Sequence, residues 1–194
     1  MSCLHCYNRV VKTFGEPDRE ACMQIGKNIL KGAIDGMTEN QFLLGEKYFF
    51  GCEETKNVPL AASWYAEAAK RGHVSATFML GFILLSGEAG RVDLKRGFGL
   101  VKKAAKFNHP KAVMLLARSY YYGYGVRRSE KKAFRTWQKG AKLGITEAEY
   151  YLGLCYDKGI YVKRDVIEAK KHLYAALENG FDIAKTAIDD LSLT

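Results

Sequence analysis

A 36-residue period constrains this chain more than any other feature. Gly45, Gly81, Ala117 and Gly153 lie 36 residues apart, as do Gly51, Gly87, Gly123 and Gly159. Ala61, Gly97, Ala133 and Ala169 keep the same step. So do Leu44, Leu80, Leu116 and Leu152, each followed four residues on by a large side chain: Tyr48, Leu84, Tyr120 or Tyr156. Self-similarity at a period of about 20–50 residues marks stacked repeats, in which each unit buries its apolar face only against its neighbours. Such chains offer a long surface to a partner and seldom a catalytic pocket.

The period divides the chain into repeats at 38–73, 74–109, 110–145 and 146–181, each reading as helix, turn, helix, turn. Residues 2–37 read as a degenerate first repeat, because Gly15, Ala33 and Gly36 align with Gly51, Ala69 and Gly72. Residues 182–194 read as a terminal capping helix, so that 1–194 is one solenoid domain, all-α. Gly72, Asn108, Gly144 and Gly180 share a column at the end of the second helix, where a left-handed residue stops it. Asp93, Ser129 and Asp165 stand just before second helices, where a side-chain oxygen caps free amides. Pro59 and Pro110 fall at helix starts, where a missing N–H does no harm. Glycine inside the first helices, at 45, 81 and 153, costs each helix about 1 kcal/mol relative to alanine. Its recurrence predicts close backbone approach between paired helices. Trp64, Tyr65 and Trp137 read as packing residues between helices.

The net charge is +9, unevenly spread. Residues 74–145 hold fifteen basic and three acidic side chains, a local field that attracts an acidic partner. Arg127, Arg128, Lys131, Lys132, Arg135 and Lys139 run from a turn down a second helix. Acidic protein, nucleic acid or anionic lipid each suit such a patch, and so does a plain solvated surface; nucleic acid would need base-stacking aromatics beside the charge. The longest strongly apolar run, Phe78 to Leu85, is far short of the roughly 18 residues of a membrane span. The first 20 residues have no apolar core of a secretory signal. Five cysteines, at 3, 6, 22, 52 and 155, do not follow the period, which predicts reduced thiols and a cytoplasmic address.

Chemistry-bearing motifs are sparse. Cys3-Leu4-His5-Cys6 is the one metal-like or redox-like cluster, and it lacks both a fourth ligand and a βαβ context. It reads more simply as ordinary cysteines. His73 and His109 share a turn column, which favours a structural role. No zinc-protease, nucleophile-elbow or phosphate-loop motif is present. The reading is non-enzymatic, with no cofactor, no metal and no catalytic residue.

The residues AVMLLARSYYYGYGVRRSEKKAFRTWQKGAKLG at 112–144 and TEAEYYLGLCYDKGIYVKRDVIEAKKHLYAALENG at 146–180 resemble the Sel-one-like repeat, a relative of the tetratricopeptide repeat. The resemblance covers 38–181 well and 2–37 loosely. The repeat at 74–109 departs from it, with a loosened turn and Gly99 inside a helix. It implies an α/α right-handed superhelix with a concave face and an adaptor or scaffold role towards a partner protein or peptide. An inhibitor or immunity-type partner of another protein is equally implied. It also implies that first helices line the groove. The columns left over from packing are then Phe42/Phe78/Met114/Tyr150, Glu46/Phe82/Arg118/Leu154 and Phe49/Leu85/Tyr121/Asp157. From them the expected partner-binding residues are Phe42, Phe78, Phe82, Met114, Arg118, Tyr121, Tyr150 and Leu154, aromatic and arginine types that dominate interfaces. The alternative for Phe42, Phe78 and Met114 is core contact with the next repeat.

Overall fold

A computed structural model describes residues 19–51 and 56–192. Among the described residues the chain forms ten helices and no strand. They are α1 (Arg19–Ile34), α2 (Thr38–Phe50), α3 (Val58–Lys70), α4 (Val74–Ser86) and α5 (Leu94–Lys106), then α6 (Pro110–Tyr122), α7 (Glu130–Lys142), α8 (Thr146–Lys158), α9 (Val166–Glu178) and α10 (Ile183–Ser192). The helices gather into two compact units, 1–93 and 94–194, which part inside the 74–109 repeat. In the first unit α1 packs on α2, α2 on α3 and α3 on α4; in the second each of α5 to α9 packs on the next. The fold is an all-α repeat solenoid. Cys3, His5 and Cys6 lie outside the described residues.

Each helix ends where its repeat column dictates. Gly51, Gly87, Gly123 and Gly159 follow the first helices, all with positive φ. Each of their amides donates four residues back, to Lys47, Ile83, Ser119 and Cys155 respectively. The second-helix column is left-handed throughout, and Asn108, at φ 58°, takes the conformation that Gly72, Gly144 and Gly180 take beside it. One bond closes the turn four times: the amides of Asn57, Asp93, Ser129 and Asp165 donate to the carbonyls of Tyr48, Leu84, Tyr120 and Tyr156. The side chains of Asn57, Ser129 and Asp165 then cap α3, α7 and α9. His73 and His109 do the same for α4 and α6, each accepting an amide at Nδ1. Their shared column is therefore structural. Gly99 is exposed, and α5 forms in spite of it.

Small residues hold paired helices together. A Cβ on Gly45 of α2 would lie 2.6 Å from the Tyr65 ring of α3. A Cβ on Gly153 of α8 would lie 2.6 Å from Leu173 of α9. These glycines do mark close approach. The core of the second unit runs through Met114, Ala117, Tyr120, Phe134, Trp137 and Leu152. A second cluster, with Leu173, Ala176, Ile188 and Leu191, seats α10 on α9.

Candidate functional site

The expected partner-binding residues divide by burial. Phe42, Phe78 and Met114 are buried, at 6%, 7% and 5% exposure, and this corrects their assignment to an open surface. Their packing explains it. Phe42 lies flat on the His73 ring at 4.4 Å, under the cap of the next repeat. Met114 belongs to the core of the second unit. Phe82 is half-buried in the first unit, its ring 6.3 Å from Phe78 and 6.4 Å from Phe49. Tyr150 is half-buried too, 5.1 Å from Phe181.

Arg118, Tyr121 and Leu154 come together. They line a small open cleft of about 110 Å³ in the second unit, between residues of α6, α7 and α8. Four aromatic side chains shape it. Trp137 stacks flat on Tyr151, with centroids 5.1 Å apart and planes at 10°. Tyr121 meets Trp137 at 5.6 Å, and Tyr122 stands edge-on to Tyr121 at 4.9 Å. Trp137 is buried, and its indole Nε1–H has no hydrogen-bond partner among the described residues. Such a donor costs about 1–3 kcal/mol while it stays unsatisfied.

Two cations stand at the cleft, Arg118 and Lys158, both exposed. Neither makes an ion pair or hydrogen bond among the described residues, and no acidic side chain lines the cleft. Burial raises the Tyr151 hydroxyl above its ordinary range; Glu147 adds to the shift and Arg118 opposes it. Cys155 lines the cleft from the core side, and burial, helped by Glu130, pushes its thiol up to about 12. A thiol held protonated in this way is a packing group and not a nucleophile.

The recurrence of this geometry is matched by a family model. The Sel1 repeat model fits at residues 41–73, 74–108, 110–145 and 146–181. The chain belongs to the Sel1 repeat family. These repeats are in general protein–protein interaction modules. The fold matches a Sel1 repeat protein from Oxalobacter formigenes with a TM-score of 0.82 and 26% identity, over 97% of this chain and 72% of that one. It also matches a protective antigen of uropathogenic Escherichia coli with an SLR fold (TM-score 0.77, 23% identity, 85% of this chain and 35% of that one). Helicobacter pylori cysteine rich protein B is similar too, with a TM-score of 0.52 and 19% identity over 69% of this chain and 96% of that one. No curated protein matches the sequence.

Within this Sel1 frame the basic stretch is split by its contacts. Arg128 pairs with Glu130 at 2.6 Å and lies over the Tyr121 ring at 5.5 Å. Lys132 lies over Tyr120, and Lys139 donates to the Ala105 carbonyl at 2.9 Å, near the end of α5. Arg127, Lys131 and Arg135 are exposed and have no ion-pair partner among the described residues. Tyr122 and Tyr124 stack on each other nearby, both exposed. Sequence columns alone missed Tyr122, Tyr151, Lys158 and the cleft role of Trp137. A residue's column fixes its place in a repeat and leaves open which neighbours across the helices it meets. The run of aromatics at 120–124 and 150–151 was the available signal.

Proposed function

We propose that this Sel1 repeat protein is a non-catalytic adaptor that binds a partner protein or peptide through the cleft side of α6 and α8, part of the concave face its repeats imply. The observation that carries this is the gathering of Arg118, Tyr121 and Leu154, from two successive first helices, around one open aromatic cleft. Arginine and aromatic side chains at a depression are the residue types that dominate binding energy. A cytoplasmic setting belongs to the same reading, supported by cysteines that do not follow the repeat period as a disulfide framework would.

The test is affinity capture from host lysate with wild type and Arg118→Glu/Tyr121→Ala. Arg118 is exposed and Tyr121 half-buried, so helical content should be close to unchanged. A stoichiometric partner held by wild type and lost by the variant supports the reading; equal capture by both discards it. A second reading, an electrostatic binder of nucleic acid or anionic surfaces, draws on three cations of α7 and its preceding turn that have no ion-pair partner among the described residues, beside the Tyr122–Tyr124 stack.

A further inference from the structure

We infer that the ligand of the cleft is an acidic linear peptide segment that seats one aromatic side chain between carboxylates. This rests on the cleft being the binding site, and it adds the chemistry of what the cleft takes. Arg118 and Lys158 come from different helices, flank one depression, and make no ion pair among the described residues. Residues 94–145 hold fourteen basic side chains and one acidic, Glu130, which Arg128 already occupies. An incoming carboxylate therefore meets two cations in the lining, with Glu147, which acts on Tyr151 from outside the lining, as the acid it has to avoid. Complementary charge of this kind steers encounter and fixes register more than it adds affinity.

The affinity has to come from the cleft walls. Half-buried Tyr121 and Tyr151 and exposed Tyr122 present ring edges and outer faces there, backed by the buried Trp137 that stacks on Tyr151. An aromatic guest gains both area burial and edge-to-face geometry there. Nucleic acid fits this cleft less well. A bound strand needs cations in succession along its backbone, whereas Arg127, Lys131 and Arg135 do not line the cleft.

A displayed library of random heptapeptides, selected on the full chain, tests the inference. The expected result is enrichment of Asp or Glu on both sides of one Phe, Tyr or Trp. The best peptide, made synthetically, should bind Arg118→Glu and Lys158→Glu at least about tenfold more weakly than wild type. Replacing its aromatic residue by glycine should cost at least as much. Enriched peptides without acidic residues, yet lost in Arg118→Glu/Tyr121→Ala, would overturn the acidic ligand and leave the cleft as the site. Acidic peptides that bind that variant unchanged would overturn both readings. No enrichment, or tighter binding of oligo(dT) than of any selected peptide, would overturn the acidic-peptide inference outright.

Discussion

At the scale of single residues, two left-handed glycines separate conformational strain from crowding. Gly144 has φ +74° and open space where a Cβ would point. Gly125 has φ +69°, and its Cβ would run into the Leu94 carbonyl and the Phe98 side chain. Gly144→Ala should cost about 1–2 kcal/mol, the left-handed penalty alone. Gly125→Ala adds a collision with backbone and should cost about 2–5 kcal/mol. Urea unfolding of both variants checks the order, and equal costs would show that the 125 turn yields. Cys155 supplies a pH test. Its folded thiol, at about 12, lies above the ordinary 9.0, so its contribution is fully present below pH 9 and is lost as pH rises towards 12. Tyr120 and Tyr151 are shifted in the same direction by burial and remain in both proteins. Between pH 8 and pH 11, the urea midpoint of Cys155→Ala should therefore fall less than that of wild type. Parallel falls would mean that the thiol does not couple to folding.

At the scale of elements, stability in a repeat stack is largely a matter of neighbours. Helix α10 is held through Ile188 and Leu191 against Leu173 and Ala176 of α9. Ile188→Ala should cost about 2–4 kcal/mol. The loss should be local: amide exchange rises across 183–192 and across the outer face of α9, while α6 and α7 keep their protection. Uniform loss of protection would indicate a single cooperative unit. Helix boundaries were legible in the sequence because glycine, asparagine and capping side chains act on their own turn, so a column of them repeats its effect. The fate of the Phe42, Phe78 and Met114 column was not legible. Whether such a residue is covered depends on what the next repeat brings over it, and for Phe42 that is the His73 ring. The cleft was half legible for the same reason. Arg118, Tyr121 and Leu154 follow from first-helix columns, whereas Trp137 and Tyr151 face each other across α7 and α8, a relation that no single column records.

At the scale of the whole molecule, charge is segregated between the two units. Residues 1–93 carry ten basic and eleven acidic side chains, and 94–194 carry twenty and ten. The second unit therefore draws polyanions at low salt whatever its specific partner is, and salt is the variable that separates the two functions. Binding of a single strand through Arg127, Lys131 and Arg135 releases counterions from about three phosphates, so the slope of log affinity against log salt would be about −2. Binding through the aromatic cleft buries apolar surface, which salt does not screen. At about 1 M salt, where the screening length is about 3 Å, only contact pairs such as those of Arg118 and Lys158 keep part of their attraction. The captured protein should therefore be weakened but retained by wild type at that salt and retained by Arg127→Glu/Lys131→Glu/Arg135→Glu. It should be lost from Arg118→Glu/Tyr121→Ala even at low salt. Release from wild type at about 1 M, together with loss from the triple variant, would transfer the function from the cleft to the basic face of α7.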